Sequence, residues 1–224
     1  MKKNSNDKSL GVQPFWGLLA MWFTQDIAMK FFFSRKIVHG IDNLSAIDGT
    51  IILAPTHRSR WDGLVLTFAL GRRVTQKDCQ FMVTKSEMRG IQGWFLKRLG
   101  CFSINQDSPS HYSIRYALKL IIKNKQLVIF PEGRINKNSK KVPLKQGLFR
   151  LAKLANKNGK SVNIIPVGIA YDRVNPKLGS KVALCIEKPL RIDDFSHSSI
   201  KEFNNCLREG INDAELKALS LVGR

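Results

Sequence analysis

Beyond Gly40 the chain alternates between short apolar runs and longer amphipathic stretches. TIILAP (50–55), QFMVT (80–84), QLVIF (126–130), VNIIPVGIAY (162–171) and KVALCIE (181–187) are brief and rich in β-branched residues, so they predict strands. SIRYALKLIIKN (113–124) and LKQGLFRLAKLANKNG (144–159) repeat apolar residues at helical spacing, and Gly159 is placed to stop the second helix. In that second helix Leu148, Leu151, Ala152 and Ala155 share one face and lysines occupy the other. Alternating strands and helices predict an α/β fold, a mixed and largely parallel sheet layered by helices. No internal repeat or low-complexity linker interrupts it.

The N-terminal region follows a different pattern. MKKNSNDKS followed by PFWGLLAMWF resembles a secretory signal, but it runs into TQD with no small-residue cleavage site. Its apolar run ends at Asp26, short of the roughly 20 residues that span a bilayer. Residues 15–33 read as a helix carrying two tryptophans, three phenylalanines at its end and the flanking cations Lys30, Arg35 and Lys36. Such residues seat an interfacial helix among lipid headgroups. The polar residues do not form one clean face, so a helix packed on the domain is the alternative. The expected organisation is a basic, aromatic, membrane-associating segment at 1–36 and a single domain at 37–224.

Charge narrows the partners. The 37 Lys and Arg against 17 Asp and Glu give +20, a field that attracts nucleic acid, anionic lipid or phosphorylated small molecules. An RNA reader would interleave exposed aromatics with its basic residues, whereas here the aromatics gather at the N-terminus and in apolar strands, which disfavours nucleic acid. The four cysteines, Cys79, Cys101, Cys185 and Cys206, have neither disulfide-framework nor zinc-site spacing, which suits a reducing cytoplasmic setting.

The stretch THRSRWDG (56–63) directly follows the TIILAP run. Residues five apart lie about 140° apart around a helix, so His57 and Asp62 meet only if His57 sits in the turn after the strand. A helix starting near Ser59, as N-cap, would allow this. Asp62 would then accept from one imidazole nitrogen, leaving the other as a general base facing a cleft.

THRSRWDG, KSEM (85–88), FPEGR (130–134) and IIPVGI (164–169) together resemble, in order and spacing, the four landmarks of the glycerolipid acyltransferases related to 1-acylglycerol-3-phosphate acyltransferase. The resemblance covers roughly residues 35–190 and makes 37–224 an acyltransferase domain. It implies that His57 deprotonates an acceptor hydroxyl, which attacks an acyl thioester without an acyl-enzyme, while Asp62 orients the imidazole. It also implies acceptor contacts at Lys85, Glu132, Gly133 and Arg134. Arg58 and Arg60 would add positive potential, Lys145 would face the site, and Pro166 would stiffen a strand lining the donor pocket.

The chain departs from the family pattern in two places. A threonine or serine usually stands between the glycine and arginine of FPEGR, and its absence puts Arg134 one position out of register. Asn105 and Gln106 stand where relatives commonly carry Asp-Arg; as substrate-binding residues their neutral amides can hydrogen-bond phosphate but lack the charge-assisted fork of arginine. The implied reaction forms phosphatidic acid from 1-acylglycerol-3-phosphate, with another lysolipid or alcohol as the alternative acceptor. The donor would be acyl-CoA or acyl-carrier protein, with no cofactor, and the enzyme would sit peripherally on an anionic membrane at its cytoplasmic face.

Overall fold

The computed structural model describes residues 11–44, 47–105, 110–138, 140 and 142–224. Its strands in chain order are β1 (Phe33–His39), β2 (Thr50–Pro55), β3 (Cys79–Thr84), β4 (Phe102–Ile104), β5 (Gln126–Val128), β6 (Val162–Tyr171), β7 (Ser180–Ile186) and β8 (Leu190–Arg191). They form one sheet ordered β1-β7-β6-β2-β5-β3-β4, with β8 pairing β6. β6, β2, β5, β3 and β4 run parallel to their neighbours, while β7 and β8 lie antiparallel to β6 and β1 follows β7 in parallel.

The helices are α1 (Pro14–Met21), α2 (Met29–Phe32), α3 (Asp62–Leu70), α4 (Arg72–Thr75), α5 (Gly90–Arg98), α6 (His111–Ile122), α7 (Gly147–Lys157) and α8 (Ile200–Val222). They cover both faces of the sheet. Along β2, Ile52 and Ala54 enter one core with α6, α7 and the first half of α8, while Ile51 and Leu53 enter the other with Met29, Phe33 and α3. A strand buried on both faces needs a continuous apolar run, which is what TIILAP and VNIIPVGIAY supply.

α8 packs closely on β6 because of two glycines. A Cβ on Gly168 would stand 2.2 Å from backbone atoms of Ala214 and Glu215, and one on Gly210 would stand 2.9 Å from Pro166. The helix begins with a capping box, in which Ser199 Oγ accepts from the Glu202 N–H and the Glu202 carboxylate accepts from the Ser199 N–H. Gly223, at φ 85°, closes it in the left-handed conformation that glycine tolerates.

The predicted strands are present, with QLVIF ending at Val128, and the two predicted helices lie two or three residues from their expected limits. The N-terminal segment differs from its expected form. Its helix runs from Pro14 to Phe32, close to the expected 15–33, but passes through a π-helical stretch, Trp22–Ala28, and gives way directly to strand at Phe33. The expected boundary between 36 and 37 therefore falls inside β1. Met29 and Phe33 are core residues, so the segment is part of the fold. Its other face carries Phe15, Leu18, Trp22, Phe23 and Phe31 in solvent, with Phe15 69% and Phe31 73% exposed. Among the described residues no helix is long and apolar enough to cross a membrane.

Candidate active site

The candidate segments all leave the carboxyl ends of parallel strands: His57 after β2, Lys85 after β3, Asn105 after β4 and residues 130–134 after β5. In open α/β sheets ligands bind at that edge. A cavity of about 1200 Å³ lies there, lined by His57, Phe130, Gly133 and Arg134. Much of its remaining wall is apolar, including Met21, Phe81, Leu96, Ile114 and Leu151.

His57 Nδ1 stands 2.8 Å from Oδ2 of Asp62, whose side chain is fully buried. Oδ2 also accepts the backbone N–H groups of Arg58 at 2.6 Å and Ser59 at 2.9 Å. The chain from 57 to 61 thus wraps around the carboxylate, and helix α3 starts at Asp62 itself. This corrects the expected cap: the Ser59 hydroxyl accepts from the Trp61 N–H, at 3.3 Å, and the helix has no side-chain N-cap. With Nδ1 engaged, Nε2 is the ring nitrogen left for chemistry. The imidazole stacks on Phe130, centroids 4.0 Å apart, and its side chain is 21% exposed.

Behind the dyad lies a buried ion cluster. Arg58 donates from Nε and Nη2 to the two oxygens of Glu215 at 2.5 and 2.6 Å, and from Nη1 to Glu132 Oε1 at 2.7 Å. Burial alone would lower the proton affinity of this guanidinium, but the two glutamates outweigh it and raise its pKa. Glu132 Oε1 also accepts the His57 N–H, Oε2 accepts from Asn136 Nδ2, and the Asn136 N–H donates to the His57 carbonyl at 2.7 Å. The backbone of His57 is therefore held at both its N–H and its C=O.

This cluster changes two expectations. Arg58 faces inward and is neutralised, so it adds no field to the cleft, whereas Arg60 is exposed and lines the cavity. Glu132 also points inward, both its oxygens being held by protein groups rather than turned to the cleft. Gly133, at φ 70°, makes the turn that separates buried Glu132 from exposed Arg134. Lys145 lines the same cavity.

Lys85 is exposed on the short turn Lys85–Met88 and Asn105 is exposed after β4, both outside the cavity lining. Gln106 lies outside the described residues. Pro166 sits in β6 against Gly210, not at the cavity. Sequence reading missed Glu215 and Asn136, which complete the cluster, and Tyr171, whose hydroxyl donates to Asp62 Oδ1 at 2.6 Å. A polar aromatic closing an apolar run was the one available signal for Tyr171. Nothing local marked Glu215.

Among known proteins, the 1-acyl-sn-glycerol-3-phosphate acyltransferase of Bacillus subtilis is 29% identical over 178 residues, 78% of this chain and 83% of that protein. The protein of the same name from Streptococcus pneumoniae is 30% identical over 131 residues, 58% of this chain but only 45% of its own length. The crystal structure of the 1-acyl-sn-glycerophosphate (LPA) acyltransferase PlsC from Thermotoga maritima shares the fold at a TM-score of 0.68, with 20% identity, over 92% of this chain and 80% of that one. The Acyltransferase family profile matches residues 35–170, a span that contains the dyad, the FPEGR turn and nearly all of β6. The chain belongs to the Acyltransferase family.

Proposed function

We propose that this protein transfers an acyl group from an acyl thioester to the free hydroxyl of 1-acylglycerol-3-phosphate, forming phosphatidic acid. The observation that carries this reading is the His57–Asp62 dyad at one wall of a largely apolar cavity that also holds Arg60, Arg134 and Lys145. An amphiphilic acceptor with a phosphate matches that combination. Asp62 keeps the proton on Nδ1, so Nε2 removes the proton from the acceptor hydroxyl as its oxygen attacks the thioester carbonyl. Collapse of the tetrahedral intermediate breaks the C–S bond, and the proton on Nε2 passes to the departing thiolate. Arg134 and Lys145 are the acceptor-phosphate contacts in this reading, with Arg60 adding field at the mouth.

The donor is an acyl-CoA or an acyl-carrier protein, and both bring phosphate to a chain of net charge +20. The exposed aromatic face of the N-terminal segment docks the protein peripherally on an anionic bilayer, where acceptor and product reside. Purified protein given labelled acyl-CoA or acyl-carrier protein and a panel of lysolipids tests the reading, with products identified by mass. Phosphatidic acid from lysophosphatidic acid is the expected product. Acylation of a different lysolipid or alcohol, with lysophosphatidic acid ignored, would replace the acceptor. Release of no thiol with any acceptor would refute the reaction.

A further inference from the structure

Asp62 is wholly buried, so only protein groups stabilise its charge. Its Oδ2 atom takes three donors from its own loop. The hydrogen bond to Oδ1 comes from 109 residues further along the chain, at the end of β6, where Tyr171 donates its hydroxyl at 2.6 Å.

We propose that Tyr171 is a positioning residue of the dyad, holding the Asp62 carboxylate through Oδ1 so that Oδ2 faces Nδ1 of His57. A buried tyrosine hydroxyl needs some partner, but three features distinguish this one. Its acceptor is the group that orients the base. Burial, and then the neighbouring Asp62 charge, push the ionisation of Tyr171 well above its ordinary value, so it remains a donor throughout the working pH range. Its ring is also fixed: it stacks with Phe33 at 5.9 Å, and Phe33 packs edge-on to Trp61, the residue before Asp62.

The hydrogen bond draws charge towards Oδ1 and moderates the pull of Oδ2 on the imidazole proton. Without it the carboxylate holds that proton more tightly, and His57 stays protonated to higher pH. The other charged groups nearby are Arg58 between Glu132 and Glu215, Arg224, which donates to the Tyr171 carbonyl at 2.9 Å, and the cleft cations Arg60, Arg134 and Lys145. Replacing Tyr171 leaves all of them in place.

The inference rests on His57 being the base, so its test includes a readout that does not need turnover. In the full chain, NMR of ¹⁵N-labelled histidine follows the four histidines, with His57 identified by its loss in His57→Gln. Tyr171→Phe keeps the stacked ring and removes only the hydroxyl. It is expected to move the His57 titration midpoint up by about one pH unit. It is also expected to lower kcat about tenfold with both KM values within about twofold. Replacing all three tyrosines with 3-fluorotyrosine, a more acidic donor, should move the midpoint down, and this response should vanish in Tyr171→Phe. An unchanged midpoint in Tyr171→Phe overturns the proposal, as does a fluorotyrosine response that persists in that variant. Loss of activity with every acceptor in the wild type would overturn the proposed reaction while leaving the midpoint test intact.

Discussion

Arg58 and Arg60 stand on either side of Ser59, yet they belong to different regions of the molecule. Behind His57, Arg58 is buried between Glu132 and Glu215, its side chain 9% exposed, and its charge is matched. In front of His57, Arg60, Arg134 and Lys145 are exposed along the cavity. The same residue type fixes geometry in one region and presents field in the other. Under the proposed function the contrast assigns stability to the rear layer and substrate recognition to the front one, so substitutions in the two should fail differently.

The largest effect is expected at the boundary between them. His57→Ala removes the proposed base and should lower kcat by about 10² to 10⁴-fold. The melting temperature should stay near wild type, because a ring at the cavity wall, outside the hydrophobic core clusters, carries little of the core. Stopped thioester assays and a thermal melt on the same sample check both halves, and near-normal turnover would exclude His57 as the base.

In the rear layer, Arg58→Ala strands two buried carboxylates, and breaking such a cluster costs about 3–5 kcal/mol. At about 2–4 °C per kcal/mol for a chain of this size, the melting temperature should fall by roughly 6–20 °C, with activity falling alongside it. Arg60→Ala is the counterpart: stability within about 0.5 kcal/mol of wild type. If the two variants melted alike, the distinction between rear and front would be lost.

Front-layer substitutions sharpen the division further. Arg134→Ala and Lys145→Ala should raise the acceptor KM severalfold, leaving the thioester KM and the melting temperature nearly unchanged, since each is proposed to supply a ground-state contact. Two-substrate kinetics separates the cases, and equal rises for both substrates would remove these residues from the acceptor phosphate.

The smallest effect is expected at the membrane. Deleting the N-terminal segment would remove Met29 and Phe33 from the core, so the informative change is Phe15→Ser, Trp22→Ser and Phe23→Ser together. Surface cations contribute about 1 kcal/mol each to binding anionic lipid and are weakened by salt. Apolar insertion is less salt-sensitive. The wild type should therefore keep part of its binding to phosphatidylglycerol vesicles in high salt, and the triple variant should release fully. Matching sedimentation curves would assign all binding to basic residues.

The sequence made the central strands legible because β2 and β6 are buried on both faces and must be continuously apolar. β1 escaped notice because an edge strand buries little, and SRKIVH carries polar residues accordingly. β4 and β8, of three and two residues, are too short to show a period. The dyad could be inferred from local spacing, since its members lie five residues apart. The inward turn of Arg58 could not: its partners lie 74 and 157 residues away, and only the folded sheet brings them together. The fate of Glu132 follows from the same fact. A glutamate beside a glycine turn looks available to a ligand until the arginine that claims it is located.

The long separation between Arg58 and Glu215 also bears on how the protein is made. A ribosome adding about 5–20 residues per second needs roughly 8–30 s to travel from one partner to the other. Throughout that interval the histidine loop has emerged but the carboxylate that clamps its arginine has not. The nascent chain is thus expected to pass through a stage in which much of the sheet can form while the loop remains unlocked. Competence for acyl transfer is then expected to arrive with α8 rather than accumulating gradually as the chain lengthens.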